Sequence, residues 1–305
     1  MEMNQISLTA MMTAYIRAYH SKYVTPKIFD DFLAYSFIPV ERRALIEQGL
    51  ADSLKLQNPL LYDTCQEQAE ALSLVMQTIT GPPNVLSRSR FTEDILLKAI
   101  SQGVNQYVIL GAGMDTFAFR HSQLLKEIHV FEVDQFGMQE FKRQRIADLA
   151  WTVPSHLHFV PVDFTQNNLA SSLKTASYKP NTSSFFSWLG VTMYLSREEV
   201  FSTLQDISNN TSSGSIIIFD YLDPDAFIPE KAAARVQGML QMAQYAGEPM
   251  KTSLEPSILA SDLAALGIHL QENLCPNEIE KRYFQGRSDG YYTCEHVHFA
   301  LAVVE

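Results

Sequence analysis

The stretch "YVILGAGMDTFAFR", residues 107–120, contains the turn that decides the fold of this chain. It opens with an apolar run typical of a buried β-strand, and this run ends in Gly111-Ala112-Gly113 just before a segment with the character of a helix start. A glycine turn at this point exposes backbone N–H groups at the carboxyl end of the strand, where chains bind nucleotide-like ligands. The stretch therefore predicts an α/β fold with a nucleotide-like ligand at the turn.

Short apolar runs alternate with helix-length segments from residue 105 onward, which indicates a parallel sheet covered by helices on both faces. The last two runs have no obvious helical crossover between them, so they could pair antiparallel. We therefore predict a seven-stranded α/β sheet that is mostly parallel with an antiparallel C-terminal strand. The runs are "QYVILG", "IHVFEVD", "LHFVPVD", "SFFSWLG", "SIIIFDYL", "IHLQENL" and "EHVHFALAVVE".

Two helical parts accompany this sheet. Residues 1–85 have the spacing of amphipathic helices and are predicted to form an N-terminal helical cap, while residues 86–305 form the core. A Pro-bounded helical segment over residues 224–250 is predicted to be inserted into the core as a lid. Because no repeat or flexible linker separates these parts, we expect one domain.

Composition and charge exclude several classes of protein. With 46% hydrophobic and 19% charged residues the chain can bury a full core, and its net charge of −11 disfavours a nucleic-acid partner. The three cysteines form no CxxC pair, which indicates reduced thiols in the cytoplasm and no metal site. No signal peptide and no apolar run of about 18 residues is present, so we expect a cytoplasmic protein without a membrane span. The oligomeric state is not predicted.

Acidic residues end the second and third predicted strands where a nucleoside would need them. Asp134 lies 21 residues after Gly113, about the distance expected of a ribose-binding acid. Asp163 can accept a hydrogen bond from an adenine amino group while Phe164 packs on the ring. Each acid alone could equally be a solvated strand end, but together they favour a nucleoside site at this edge of the sheet.

Two classes of nucleoside cofactor compete for this site. A nicotinamide dinucleotide prefers G-x-G-x-x-G, whereas this chain has Thr116 in place of the third glycine and Asp115 before it. A carboxylate beside a pyrophosphate would repel it, but it would not repel a cationic ligand. S-adenosylmethionine has no phosphate and carries a sulfonium and an amine, so the turn favours S-adenosylmethionine.

The motifs "RSRFTEDIL", "LGAGMDT", "FEVD", "VDF" and "GVTMYL" together resemble those of the leucine carboxyl methyltransferase family of class I methyltransferases. The resemblance covers most of the chain and is closest to bacterial members described as polyketide O-methyltransferases. It implies a Rossmann-like fold with S-adenosylmethionine as the cofactor. The cofactor-binding positions that it implies are Arg88, Gly111, Ala112, Gly113, Asp134, Asp163, Phe164 and Leu189.

Two of these positions need an interpretation of their own. Arg88 would pair with the methionine carboxylate, a role that suits a guanidinium fork, and Arg90 is the rival for that role. Leu189 stands where much of the family carries Glu, so amine binding or the substrate class could differ here. No metal ion or covalent nucleophile is expected, because the cofactor already carries a good leaving group.

Three residues are candidate catalytic residues that would contact the methyl acceptor. Tyr194 follows the fourth strand and could orient the acceptor, with core packing as the alternative. Arg17 and His20 lie three residues apart on the first predicted helix and share a face. The resemblance implies that this helix helps to close the substrate pocket, and the alternative is a solvated helix surface.

The predicted lid carries Met239, Met242 and Tyr245 at helical spacing, which we interpret as an apolar roof over the methyl donor. Such a roof favours a carboxylate or hydroxyl of a small, largely apolar, polyketide-like molecule. The predicted function is therefore that of an S-adenosylmethionine-dependent O-methyltransferase. The alternatives are a protein C-terminal carboxyl methyltransferase, a nicotinamide-dependent oxidoreductase and a catalytically silent cofactor-binding protein.

Overall fold

The structure is a computed structural model that describes residues 7–126, 128–164 and 169–305. One seven-stranded sheet runs through these residues. Its strands are β1 (Gln106–Leu110), β2 (His129–Asp134), β3 (Leu157–Pro161), β4 (Ser184–Trp188), β5 (Ile216–Leu222), β6 (Ile268–Leu274) and β7 (Val297–Val304).

The strands lie in the order β3-β2-β1-β4-β5-β7-β6. Strands β3, β2, β1, β4 and β5 pair in parallel with one another in this order. Strand β7 pairs antiparallel with both β5 and β6. This topology confirms the predicted seven-stranded sheet with its antiparallel C-terminal strand.

The central strand β1 places the glycine turn at a topological switch point. It pairs with β2 on one side and with β4 on the other, so the chain proceeds outward from β1 in two directions. In open α/β sheets, ligands bind in the crevice at the carboxyl ends of the strands at such a point. All five residues of β1 are buried, which accounts for its continuous apolar run.

Thirteen α-helices accompany the sheet in the described residues. They are α1 (Leu8–Tyr23), α2 (Ala34–Phe37), α3 (Val40–Gln57), α4 (Pro59–Tyr62), α5 (Gln68–Thr78), α6 (Gly81–Ser101), α7 (Phe117–Arg120), α8 (Phe136–Asp148), α9 (Leu169–Thr175), α10 (Arg197–Asn209), α11 (Ala234–Tyr245), α12 (Leu259–Ala264) and α13 (Pro276–Tyr283).

The N-terminal helices pack onto one face of the sheet. Tyr15 and Ile16 of α1 are buried in the same hydrophobic cluster as Tyr107 and Ile109 of β1. The alternate residues of β1 belong to a second buried cluster, as expected for a strand whose side chains point to opposite faces. The helix α6 crosses the predicted boundary between residues 85 and 86, and the first six residues of the predicted cap lie outside the described residues.

The structure also describes the state of the cysteines and the helices that could be tested for a membrane span. All three cysteines are free thiols, as their spacing predicted. Within the described ranges, no helix combines the length and the apolar character that a membrane crossing requires.

Candidate active site

The glycine turn after β1 is held in a backbone conformation that needs glycine. Gly111 has a φ of +73° and Gly113 a φ of +48°, both in the left-handed region. A Cβ atom on Gly111 would overlap the side chain of Val191, and one on Gly113 would lie 3.3 Å from Cβ of Ala10 in α1. The turn is therefore enclosed between the segment after β4 and the N-terminal helix.

Asp134, the last residue of β2, fixes this turn from the neighbouring strand. Its Oδ2 accepts the N–H of Gly113 at 2.6 Å and its Oδ1 accepts the N–H of Gln135 at 2.7 Å. Burial raises the pKa of this carboxyl group, and the two N–H donors act in the opposite direction. Each oxygen keeps a further lone pair that can accept a hydrogen bond from a ligand.

A cavity of about 510 Å³ opens at the carboxyl edge of the sheet, beside the glycine turn. This volume lies within the usual range for small-molecule sites. Ten of the eleven residues that the sequence analysis singled out as cofactor-binding or catalytic line it: Arg17, Arg88, Gly111, Ala112, Gly113, Asp134, Asp163, Phe164, Leu189 and Tyr194.

Arg88 enters the cavity from α6 and is held by a buried carboxylate. Its Nη1 donates to Oδ2 of Asp220 in β5 at 2.6 Å, and Oδ1 of Asp220 accepts the N–H of Gly190 at 2.5 Å. The rival Arg90 is half exposed, pairs with Asp94 on its own helix, and is not among the residues that line the cavity. Sequence reasoning missed Asp220, although a single acid within the apolar run "SIIIFDYL" was a signal.

Arg17 ties α1 to the glycine turn. Its Nε lies 2.9 Å from Oδ2 of Asp31, and its Nη2 donates to the carbonyl oxygen of Met114 at 2.8 Å. The other oxygen of Asp31 accepts the hydroxyl of Thr116 at 2.6 Å. Sequence reasoning missed Asp31, which is buried and links the cap to the residues that follow the turn.

His20 was expected to face the acceptor, and the structure corrects this expectation. The side chain is fully buried, and its Nε2 accepts the N–H of Ile28 at 2.8 Å outside the cavity lining. Burial lowers the pKa of His20 to about 4, so the imidazole is neutral near pH 7. The cavity extends along α1 only as far as Arg17. The alternative interpretation of His20, a place on a solvated helix surface, is also wrong because the side chain is buried.

Tyr194 lies in a short 3₁₀ helix after β4 and lines the cavity opposite α1. Burial raises the pKa of its hydroxyl, and the nearby hydroxyl of Thr9 acts in the opposite direction. Thr9 in turn donates its N–H, at 3.3 Å, and its hydroxyl to Oε2 of Glu248. This bond joins the N-terminal helix to the inserted segment beside Tyr194.

The predicted lid, residues 224–250, reaches the cavity, but its methionine stripe does not line it and the residues that do are not apolar. Met242 and Tyr245 of α11 are 60% and 88% exposed, and Met239 packs against the core, so the methionine stripe does not cover the cavity. The segment after α11 forms the roof instead, because the chain turns back over the sheet edge only after the helix ends. Its cavity-lining residues are Gly247, Glu248, Pro249 and Lys251, two of which are charged.

Three comparisons with known proteins place this geometry in context. A model of the leucine carboxyl methyltransferase family matches residues 10–208. The chain is 37% identical over 303 residues to "Putative S-adenosyl-L-methionine-dependent methyltransferase YktD" of Bacillus subtilis (strain 168), and the alignment covers 99% of each chain. A relative from Parafrankia sp. (strain EAN1pec) with the same designation is 30% identical over 210 residues, which is 69% of this chain and 61% of that one.

A solved structure shares the fold at low sequence identity. It is the crystal structure of a DUF574 family protein from Streptomyces avermitilis, with a TM-score of 0.58 and 12% identity. The alignment covers 96% of this chain and 97% of that one, so the similarity extends over the cap as well as the sheet.

Proposed function

This chain belongs to the leucine carboxyl methyltransferase family and is a class I S-adenosylmethionine-dependent methyltransferase, and from that premise we propose that it methylates an oxygen atom of a small molecule. The observation that carries this proposal is the hydrogen bond between Thr9 and Glu248, which brings α1 and the segment after α11 together at the cavity that Tyr194 also lines. A cavity bounded by such a contact suits a compact acceptor better than the end of a protein chain.

The cofactor is proposed to lie along the carboxyl ends of β1 to β4. Asp134 would accept hydrogen bonds from the ribose, Asp163 and Phe164 would hold the adenine, and Arg88 would bind the methionine carboxylate. The turn suits a ligand without phosphate, because Asp115 lines the cavity and holds its carboxylate at the N–H of Phe117, 2.7 Å away. When bound, S-adenosylmethionine supplies an electrophilic methyl group on a sulfonium sulfur.

The residues opposite the cofactor would bind and orient the acceptor. The raised pKa of Tyr194 keeps its hydroxyl protonated near neutral pH, so it can donate a hydrogen bond to the acceptor oxygen. Glu248 lines the cavity itself and would take the proton of an acceptor hydroxyl. Val85 and Leu195 line the cavity with apolar surface and suit the carbon skeleton of a polyketide-like molecule.

A hydroxyl is the acceptor that we favour over a carboxylate. Arg17, which lines the cavity, is already paired with the buried Asp31. The carboxylate of Glu248 would repel a second carboxylate, whereas it would assist a hydroxyl by accepting its proton.

The experiment that tests the proposal follows a radioactive methyl group. The purified protein would be incubated with S-adenosylmethionine labelled in the methyl group and with panels of phenols, enols, small carboxylic acids and peptides with a free C-terminus. We expect label in a phenol or enol, in a form that resists mild base because it is an ether. Label only in base-labile esters of peptides would overturn the proposal in favour of a protein carboxyl methyltransferase.

A matched variant controls this experiment. Tyr194→Phe removes the hydroxyl and keeps the ring, so we expect binding of S-adenosylhomocysteine to persist while methyl transfer falls by about 10- to 1,000-fold. Unchanged turnover would show that Tyr194 does not contact the acceptor.

A further inference from the structure

Arg88, Asp220 and Gly190 form one unit at the methionine end of the cavity. Asp220 is fully buried in the interior of β5, and its two oxygens bind the Arg88 guanidinium at 2.6 Å and the Gly190 N–H at 2.5 Å. The three residues belong to α6, to β5 and to the segment after β4. A single carboxylate therefore connects three elements directly beneath the cavity.

The packing within this unit leaves the guanidinium one orientation. Gly190 has a φ of +69°, and a Cβ atom at this position would overlap Nη1 and Nη2 of Arg88. The Nη1–Nη2 edge of the guanidinium thus packs against Gly190 while Asp220 binds Nη1. A guanidinium has five N–H donors in a fixed fork, so the edge that lines the cavity can bind a carboxylate.

We propose that Asp220 is a positioning residue for the cofactor: it orients Arg88, and through Arg88 it selects a ligand that carries a carboxylate at the methionine end. This inference rests on the role proposed above for Arg88. Asp220 itself has no surface on the cavity, so it acts only through the guanidinium and through the N–H of Gly190. A buried ion pair of this kind is sensitive to the loss of one partner, because the remaining charge keeps its desolvation cost.

The test compares two ligands that differ only at the methionine end. S-adenosylhomocysteine carries the amino-acid group, whereas 5′-methylthioadenosine has the same nucleoside and sulfur without it. In Asp220→Asn, calorimetric titration should show affinity for S-adenosylhomocysteine reduced roughly 10- to 100-fold. Affinity for 5′-methylthioadenosine should stay within about twofold. An equal loss for both ligands would mean a merely structural role and would overturn the inference.

Further variants keep the result interpretable. Asp223→Asn, one residue beyond β5 and bound to His296 and His298 outside the cavity lining, is the matched control and should change neither affinity. If Asp220→Asn does not fold, Gly190→Ala should produce the same selective loss by displacing the guanidinium, and no selective loss in that variant would refute the inference.

Arg88→Ala separates this inference from the proposed function. A selective loss in Arg88→Ala together with none in Asp220→Asn would leave the role of Arg88 intact and remove only that of Asp220. If Arg88→Ala itself shows no selective loss, the proposed role of Arg88 fails first. In the Arg88→Ala background, adding Asp220→Asn should cause no further selective loss.

Discussion

Asp134 shows how one residue serves both the fold and the proposed site. Its carboxylate holds Gly113 in the turn and lines the cavity in which we propose that the cofactor binds. Burial raises the pKa of this carboxyl group, and its hydrogen bonds to two backbone N–H groups stabilise the charged form. Loss of the carboxylate therefore affects both the turn and the ligand.

We expect Asp134→Ala to weaken binding of S-adenosylhomocysteine by roughly 1.5–3 kcal/mol, because charge-assisted hydrogen bonds to the ribose are lost and the Gly113 N–H is left without its acceptor. Isothermal titration calorimetry measures this change. Asp134→Asn retains an acceptor for Gly113 and should lose less. Affinity equal to that of the unmodified protein in both variants would mean that the ribose does not bind at the end of β2.

His20 predicts a pH dependence of stability. Its pKa is lowered from the ordinary value of 6.5 to about 4 in the folded state. As the pH falls from 6.5 toward 4, the unfolded chain takes up a proton that the folded chain does not, so the free energy of unfolding decreases by up to about 3 kcal/mol. His20→Gln retains an acceptor for the Ile28 N–H but cannot titrate.

Urea unfolding at pH 7 and pH 4.5 measures this contribution. The unmodified protein should lose more stability between the two pH values than His20→Gln does. An identical pH dependence in the two proteins would show that His20 is not the titrating group.

At the scale of secondary-structure elements, α1 and the segment after α11 meet above the cavity through Thr9 and Glu248. These elements are far apart in the chain, and neither belongs to the sheet. Their contact joins two segments that both line the cavity. We therefore expect it to govern how fast a bound ligand leaves.

Thr9→Val removes the hydroxyl without changing the size of the side chain. The loss of one hydrogen bond worth about 1 kcal/mol should make S-adenosylhomocysteine dissociate roughly fivefold faster in stopped-flow experiments. Thr78→Val is the matched control, because the hydroxyl of Thr78 donates only to carbonyl oxygens of its own helix in the described structure. An unchanged dissociation rate in Thr9→Val would show that this contact is not a gate.

At the scale of the whole molecule, Asp31 joins the cap to the core. It is 1% exposed and contacts Arg17 and Thr116, while Nε of Arg120 lies 3.5 Å away. The predicted single domain, with residues 1–85 as its cap, requires that these parts unfold together.

Asp31→Asn should destabilise the protein by about 3–5 kcal/mol in a single cooperative transition, because it leaves the largely buried guanidinium of Arg17 without its carboxylate. Denaturant unfolding followed by circular dichroism and tryptophan fluorescence tests this, since Trp151 stacks on Phe37 of the cap. Asp30→Asn, an exposed neighbour, should cost less than about 0.5 kcal/mol. Two separate transitions would contradict the single domain.

The features that the sequence determined by itself are local ones. The apolar run of β1, the glycine turn and the acid at the end of β2 can each be predicted from neighbouring residues, because strand burial and left-handed turns constrain the residues that form them. The carboxyl ends of parallel strands meet at one edge, so the position of Asp134 followed from the strand order. This is why the glycine turn, Asp134, Asp163 and Phe164 line one cavity, whereas Arg88 and Leu189 were positions that the family resemblance implied.

Tertiary structure alone decided the contacts between distant segments. Arg88 and Asp220 are 132 residues apart, and Thr9 and Glu248 are 239 residues apart. Helical spacing predicted that α1 and α11 are helices with apolar stripes, but the same stripe can face the core, the cavity or solvent. The packing of a helix against the whole sheet determines which of its faces is covered. This is why His20 is buried whereas Tyr245 is exposed to solvent.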